Sequence, residues 1–482
     1  MKTKLIYILG FVLFASSCTK DMTEKLNDNP KVPQVATGGG VFAYSELQFA
    51  SQITTPNVNS GIFELIVQYW AETTYPQESQ FQLTERNIPG NWWNTFYRNV
   101  AMNVKSAEQL INNEPVVGND DKVVKKNKLA ICEIFKAYSF SVLVNTFGNI
   151  PYSQALDPKN STPKYDDQKD IFYALIDSLN DAVGKLDPNY GSFNDGSDLI
   201  YNGDVSSWIK FANSLKLRLG LLIADVDPAK AKTVVESAVQ GGVISSNDEN
   251  AAFKFLSAPP NTNPIWTNLV QSGRNDFVPT NTIVSMMEDM NDPRIPAYFT
   301  TVQGTSNYLG GVPGNGNSYK SFSHVADAIK APNFPSILMG YDEVEFNLAE
   351  AVERGMNVGG TAIGHYDNAI TASMENWGVS TNDIDIYLLN PNVNYLTASG
   401  SWKEKIGHQA YIALYLRGFD SWTEWRKLDF PALVKPAAAI SEIPVRFIYP
   451  TLEAQLNGAN YKAAGGAIGG DVVTTKLFWD KN

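Results

Sequence analysis

The chain has 482 residues, of which 44% are hydrophobic, 38 are basic and 50 are acidic, so its formal net charge is −12. A chain with this charge repels nucleic-acid phosphates and anionic lipid headgroups, and no basic cluster offsets that repulsion. The apolar content suffices for a sizeable core, while 35 Gly and 25 Pro indicate long irregular loops.

Residues 1–17 are predicted to be a signal peptide. Lys2 and Lys4 precede an apolar run over residues 5–14, and residues 15–17 are the small residues Ala-Ser-Ser expected before a cleavage point. The run is shorter than the roughly 20 apolar residues of a membrane-spanning helix. Cleavage removes both lysines, which takes the net charge from −12 to −14.

Cys18 directly follows the small residues, as in the lipobox of bacterial lipoproteins, and this position predicts lipidation of its thiol. Stable anchoring needs more than one acyl chain, which this modification supplies. Ordinary secretion with an incidental cysteine is the alternative. Residues 18–40 are predicted to contain this lipidated cysteine and a polar tether, and residues 41–482 a single domain. Cys132 lies in an apolar-periodic stretch and is predicted to be a buried free thiol.

Helical periodicity dominates the chain and predicts an all-α fold. Residues 94–111 form one amphipathic segment, and four further helix pairs follow. The pairs are predicted at residues 120–147 with a helix capped by Asp166, 204–225 with 227–241, 337–354 with 365–377, and 402–417 with 421–428. Stacked helix pairs are typical of tetratricopeptide (TPR) repeats, so about four TPR-like pairs are expected.

Residues 250–335 differ in character, because frequent Pro and Gly exclude long regular elements there. Only residues 282–290 are predicted to be helical. The segment contains too many aromatic residues for disorder. The predicted fold therefore combines TPR-like helix pairs with a large loop-rich, irregular portion.

No pattern of an enzyme is visible. His324, His365 and His408 lack ligand-spaced neighbours, and the sequence contains no HExxH, CxxC, GxSxG or phosphate-binding loop motif. We therefore predict no catalytic residue and no metal ligand, and interpret the chain as a non-enzyme.

The acidic residues give weaker signals. Residues Asp342, Glu343, Glu345 and Glu350 are predicted to form the solvated face of a helix. The acidic loops at 195–198 and 383–385 do not complete an EF-hand ligand set, so no cofactor is predicted, with a structural calcium ion as the alternative.

Aromatic residues are abundant, at 12% of the chain with 10 Trp and 22 Tyr. The C–H face of a sugar ring can lie flat on an aromatic ring while neighbouring amide, carboxylate and guanidinium groups bond its hydroxyls. Two loop regions have this composition, the first at 68–78 with 91–94 shortly after and the second at 264–319, whereas Trp93 and Phe96 are assigned to packing. The predicted ligand-binding residues are Trp70, Tyr75, Trp92, Trp266, Arg274, Asp276, Tyr308 and Tyr319.

Several segments together resemble the SusD/RagB family, in particular its SusD-like lipoprotein branch. They are GYDEVEFNLAEAVERG at 340–355, QAYIALYLRGFDSWTEWRKLDFP at 409–431, NDPRIP at 291–296, IPVRFIY at 443–449, and Cys18. The resemblance implies four TPR-like pairs, a lipid anchor in the outer membrane facing the cell exterior, and a SusC-like TonB-dependent transporter as partner. It implies no ligand-contact residue, since the matching blocks belong to the scaffold.

The leading interpretation is capture of an oligosaccharide for uptake. Capture of a peptide by the same kind of complex is an alternative, and so is a lipid-tethered TPR-like scaffold that binds only proteins. A tethered glycosidase would need two carboxylates roughly 5 to 9 Å apart beside the aromatic residues.

Overall fold

The structure is a computed structural model that describes residues 36–193 and 195–481. The predicted signal peptide, Cys18 and most of the predicted tether lie outside the described residues. The first helix of the described residues begins at Gly38, two residues before the predicted end of the tether. Residues 38–482 make one compact unit by their contacts.

Helices supply most of the regular structure, which confirms the predicted all-α class. The α-helices are α1 (Gly38–Thr54), α2 (Phe63–Ile66), α3 (Ile88–Asn94), α4 (Met102–Asn112), α5 (Asn119–Phe147), α6 (Gln168–Lys185), α7 (Val205–Leu222), α8 (Pro228–Gln240), α9 (Pro264–Trp266), α10 (Asn281–Asp289), α11 (Ile295–Tyr298), α12 (Tyr341–Glu353), α13 (Ala362–Asn376), α14 (Thr381–Leu388), α15 (Trp402–Ala413), α16 (Gly418–Leu428), α17 (Glu453–Leu456) and α18 (Gly458–Ala467). Thr95–Ala101 and Thr267–Gln271 are π-helical, and Asn247–Glu249 and Tyr319–Ser321 are 3₁₀-helical.

Short strands pair into two-stranded antiparallel sheets. The strands are β1 (Trp70–Glu72), β2 (Ala251–Phe253), β3 (Phe277–Pro279), β4 (Phe299–Thr300), β5 (His324–Val325) and β6 (Ser336–Met339). The described pairs are β1 with β3, β2 with β6 and β4 with β5. Helical periodicity in the sequence does not indicate any of these strand pairings.

The four predicted helix pairs are confirmed as α5/α6, α7/α8, α12/α13 and α15/α16, each packed against its partner. Asp204 and Asp227 cap α7 and α8 as aspartates commonly do, by accepting hydrogen bonds from the first backbone N–H groups. The cap of α6 is Asp167 and not the predicted Asp166, whose carboxylate accepts instead from the backbone N–H groups of Tyr152 and Ser153.

The longest helix, α5, runs through the core. Cys132 lies on it as a buried free thiol, which confirms that prediction. Among the described residues, α5 is the one helix long and apolar enough to span a membrane. Because 83% of its apolar stretch is buried inside the protein, it is accounted for as a core helix.

The segment predicted to be loop-rich contains the predicted helix at 282–290 as α10 and otherwise only short elements. The helix predicted at 337–354 begins later, at Tyr341, because residues Ser336–Met339 form β6 and pair with β2. That pairing partner is about 85 residues away, and a local pattern does not reveal it.

The acidic face of α12 is buried, so its prediction as a solvated surface is wrong. Asp342, Glu343, Glu345 and Glu350 are all buried. On one side, Arg218 donates from Nε and Nη2 to both oxygens of Glu343 at 2.6 and 2.7 Å. A paired carboxylate in the interior avoids the desolvation cost that an isolated one would carry.

Other cations complete this network from the fourth helix pair. Lys427 Nζ lies 2.6 Å from Glu350 Oε2, and Arg417 Nη2 forms an ion pair with Asp342. Arg218 Nη1 also lies 3.2 Å from Asp420 Oδ1. These residues together are called the buried charge network. They are Arg218, Asp342, Glu343, Glu350, Arg417, Asp420 and Lys427.

Removing one cation from the buried charge network should be strongly destabilising. We expect Arg218→Met to lower the free energy of unfolding by about 3–5 kcal/mol, because Glu343 and Asp420 then lose their bidentate and ionic partner in the interior. Urea denaturation followed by circular dichroism measures the change. Glu442→Gln is the matched control, since its ion pair with Lys435 is exposed and should contribute below about 1 kcal/mol. Equal effects of the two variants would contradict the argument.

Glu64 should make stability depend on pH. Burial raises the pKa of Glu64 to about 8, and the backbone N–H of Gly418 donates to its Oε1 at 2.9 Å. The folded state therefore binds this proton more tightly than the unfolded chain, whose ordinary value is 4.5. The stabilisation that protonated Glu64 gives to the folded state is complete below the unfolded pKa and is lost as pH rises through the folded pKa. The free energy of unfolding then falls by at most about 1.4 kcal/mol per pH unit because of this group.

We therefore expect Glu64→Gln to flatten the decline in unfolding free energy between pH 5 and 8, measured by urea denaturation at each pH. Glu442→Gln should retain the wild-type slope. An unchanged slope in Glu64→Gln would show that other groups set the pH dependence.

Candidate functional site

Two of the predicted ligand-binding residues belong to the core. Trp70 is 1% exposed and donates from Nε1 to the Tyr415 hydroxyl at 2.9 Å. Trp92 is 0% exposed and donates from Nε1 to Thr146 Oγ1 at 3.1 Å. Both assignments to ligand binding are corrected, because a ligand at the surface does not reach these rings. Phe96, like Trp93, is buried, as the assignment to packing requires.

Three further predicted residues are partly buried and do not line the cleft described next. Tyr319 stacks on His324 with ring centroids 3.7 Å apart. Tyr308 packs against the hydrophobic core, and Trp266 ends α9. Their role in binding stays a prediction.

The other three predicted residues, Tyr75, Arg274 and Asp276, meet in one surface cleft of about 180 Å³. We call it the Tyr75 cleft. Its remaining wall consists mainly of polar groups and a short turn after α1. These residues are Pro56, Asn57, Val58, Asn59, Glu72, Thr74, Arg86, Asn268 and Phe277.

The β1–β3 pairing brings the two sides of the cleft together. Glu72 lies opposite Phe277 in the ladder. Beyond it, Thr73 donates from its backbone N–H to the Asp276 carbonyl at 2.8 Å and from Oγ1 to the Asn275 carbonyl at 2.6 Å. Segments about 200 residues apart are thereby held edge to edge, and Tyr75 is placed beside Arg274.

Tyr75 presents its ring to solvent. The side chain is 68% exposed, and the backbone adopts the left-handed conformation with φ of 57°. A non-glycine residue rarely adopts this conformation, and such strain is typical of functional positions. An exposed aromatic ring is a suitable platform for a flat, partly apolar ligand.

Charged and amide groups surround this ring. Arg274 Nε donates to Asp276 Oδ2 at 2.6 Å, and the guanidinium remains 63% exposed with further N–H donors toward solvent. Arg86 pairs with Glu78 and lies 3.5 Å from Asn59 Oδ1. The cleft therefore offers both donors and acceptors with a nearly balanced charge, which suits a polyhydroxylated ligand.

Glu72 forms the floor of the cleft and is largely buried. Burial raises its pKa, the neighbouring Glu78 carboxyl raises it further, and Ser79 counteracts both by donating from N and Oγ to Glu72 Oε2 at 2.9 and 2.8 Å. These bonds hold the carboxyl against its own chain segment. Glu72 therefore contributes a largely buried carboxyl to the lining of the cleft.

Sequence reasoning missed the polar wall, namely Asn57, Asn59, Arg86 and Asn268. Asparagines in a short turn are as common for turn geometry as for binding. Indeed Asn57 Oδ1 accepts from Asn59 N at 3.0 Å. The clustering of amides near aromatic residues was the available signal, but it did not indicate which loops meet.

In the acidic loop at residues 195–198, the carboxylate of Asp198 accepts hydrogen bonds from the protein itself. Asp198 accepts from the backbone N–H groups of Ile200 and Tyr201 at 3.0 Å and from Trp208 Nε1 at 2.7 Å. In the part of the chain that the structure describes, no group of three or more His, Cys, Asp or Glu residues is arranged to hold a metal ion.

The family model described as SusD-like, starch-binding and associating with the outer membrane, matches residues 30–450. The chain belongs to the SusD-like family. This membership confirms the resemblance inferred from the scaffold motifs. No curated protein matches the sequence at a significant level.

Solved structures of similar proteins agree with the fold. A chitin-binding protein is 28% identical, with a TM-score of 0.80 over 92% of this chain and 100% of its own. A chitin-binding SusD homolog from Flavobacterium johnsoniae is 27% identical, with a TM-score of 0.76 over 92% and 98%. A SusD homolog from Bacteroides uniformis is also 27% identical, with a TM-score of 0.74 over 92% and 99%.

Proposed function

We propose that this SusD-like protein is an outer-membrane lipoprotein that captures an oligosaccharide in the Tyr75 cleft and passes it to a SusC-like TonB-dependent transporter. The observation that carries the proposal is the exposed Tyr75 ring beside the exposed guanidinium of Arg274 in one cleft. The ring would stack on the C–H face of a sugar, and Arg274 and the amides of Asn57 and Asn59 would bond its hydroxyls.

The class of ligand is supported by the comparisons. The family model is described as starch-binding, and two of the structural relatives are described as chitin-binding. Starch and chitin are both chains of glucose-type rings that offer a flat C–H face. We therefore propose oligosaccharides of glucose or N-acetylglucosamine as the first ligands to test.

The affinity should be modest. The Tyr75 cleft is small and open, so a bound oligosaccharide leaves much of its surface in water. Only the part of the contact energy that exceeds the cost of immobilising the ligand appears as affinity. We expect dissociation constants of about a micromolar to about a millimolar, which also allow release to a transporter.

Tyr75→Ala should weaken binding of the oligosaccharide by about tenfold or more, because the stacking surface is lost. Isothermal titration of residues 19–482 with maltoheptaose, chitohexaose and a peptide digest measures it. Tyr44→Ala is the control, since Tyr44 is an exposed tyrosine of α1 outside the cleft.

Arg274→Ala should weaken binding of the same oligosaccharide without changing the midpoint of unfolding.

Binding of the peptide digest alone would replace oligosaccharide capture by peptide capture. Binding of neither ligand would favour a protein-binding scaffold. Oligosaccharide binding that Tyr75→Ala leaves intact would refute the assignment of this cleft.

Cys18→Ser should release the full-length protein from the membrane fraction into the soluble fraction, because the acylated thiol is lost. Fractionation of cells followed by immunoblotting measures the distribution. Cys132→Ser is the control, since that thiol is buried on α5 and should leave the distribution unchanged. Retention of Cys18→Ser in the membrane fraction would contradict lipid anchoring at this residue.

A further inference from the structure

A second surface depression, larger than the Tyr75 cleft, lies along one side of α10. It has a volume of about 750 Å³, within the roughly 300–1,000 Å³ that ligand sites usually have. Its walls are α10, the turn at residues 312–315, the segment at residues 431–437, and His408 of α15. We call it the Met286 groove. It shares no lining residue with the Tyr75 cleft.

The apolar part of the groove is suited to aliphatic groups. Met286 and Met290 line it together with the buried prolines Pro431 and Pro436. Methionine side chains are flexible and fit apolar groups of different shapes. Among the described residues, no Trp, Tyr or Phe lines the groove, so it lacks the flat ring on which a sugar would stack. The lining therefore favours aliphatic side chains over a sugar ring.

The segment at residues 432–435 presents free backbone groups along one wall. The backbone N–H groups of these four residues have no hydrogen-bond partner in the described part of the chain. Of their carbonyls, that of Val434 accepts a bond from Gln68 Nε2 at 2.7 Å. Ala432, Val434 and Lys435 are exposed, so their backbone groups are accessible. An extended peptide can pair with such a row of unpaired groups as an added strand.

The polar groups of the groove add a charge preference. Lys435 forms an ion pair with Glu442, whereas Asp289, exposed at the end of α10, has no ion pair among the residues described. Burial lowers the pKa of His408, so this imidazole is neutral at pH 7 and leaves the charge of Asp289 uncompensated. The groove therefore favours a ligand with a positively charged side chain.

His408 also offers a hydrogen-bonding position. It is partly buried in the wall of the groove, and its ring makes no hydrogen bond within the described residues. Its nitrogens are not among the unpaired atoms that are closed off from solvent. A neutral imidazole has one donor and one acceptor, which match the N–H and C=O groups of a peptide.

We propose that the Met286 groove binds a short, free peptide in an extended conformation. Its backbone would pair with residues 432–435, its aliphatic side chains would lie against Met286 and Met290, and a basic side chain would pair with Asp289. The proposal does not rest on oligosaccharide capture, because no group of the Tyr75 cleft takes part. The protein would then have one site for a sugar and a separate one for a peptide.

The test uses residues 19–482 and a synthetic pentapeptide with blocked ends, acetyl-Val-Ala-Lys-Ala-Val-amide. One counterpart has Glu in place of Lys, and another has N-methylated backbone groups that cannot pair with a strand. Ser285→Trp narrows the groove at an exposed residue of α10. Ser206→Trp is the matched control, since Ser206 is an exposed serine of α7 outside the groove. Isothermal titration measures affinity, and a crystal structure with the peptide locates it.

We expect the Lys peptide to bind wild type, Ser206→Trp and Tyr75→Ala alike, with a dissociation constant of about ten micromolar to about a millimolar, and to bind Ser285→Trp about tenfold more weakly or worse. Asp289→Asn should weaken binding about threefold, as loss of an exposed ion pair does. Asp385→Asn is its control, because Asp385 is an exposed aspartate of α14 that does not line the groove.

The proposal is overturned if the Lys peptide does not bind, if Ser285→Trp leaves its affinity unchanged, or if the Glu or N-methylated peptide binds equally well. A crystal structure with the peptide outside the groove would overturn it as well. Failure of the proposed function would instead appear as absence of maltoheptaose and chitohexaose binding with the peptide result unchanged.

Discussion

The fold depends on burying the carboxylates of α12 against cations from other helix pairs. Glu343 forms an ion pair with Arg218 of α7, and Glu350 forms one with Lys427 of α16. A buried carboxylate without a partner would cost several kcal/mol, so helix pairs that slipped relative to one another would be strongly disfavoured. The buried charge network thereby supports the register between α7, α12 and α16. It also fixes Arg417, whose Nη2 pairs with Asp342 at the start of α12.

The surface cleft is built differently, from loops held by a short sheet on this scaffold. Two hydrogen bonds from Thr73 hold Tyr75 beside Arg274, so a loop residue gains a defined position. Binding residues on loops above a rigid core are common because loops tolerate change in sequence. The same scaffold can therefore serve relatives with different ligands.

Much of the scaffold was predictable, because a helix pair is a local pattern. The four pairs follow from apolar spacing, and the cap Asp227 follows from a side chain that satisfies a free N–H group at the start of its helix, whereas the cap predicted at Asp166 is one residue away at Asp167. The acidic face of α12 was predicted wrongly, since isolated carboxylates on a helix usually face water. Arg218 is 125 residues from Glu343 and Arg417 is 75 residues from Asp342, so no pattern near α12 in the sequence indicates these partners.

The sequence by itself determined the helical class, the family and the composition of the binding loops, since periodicity, motifs and residue types are all local properties. Only the tertiary structure decided which aromatic rings reach solvent. Trp70 and Tyr75 lie five residues apart in one aromatic segment, yet the first is a core residue and the second is exposed. The difference arises because β3 pairs with β1 and covers Trp70 with Phe277, whereas the chain turns outward at Tyr75. Such burial depends on a segment two hundred residues away.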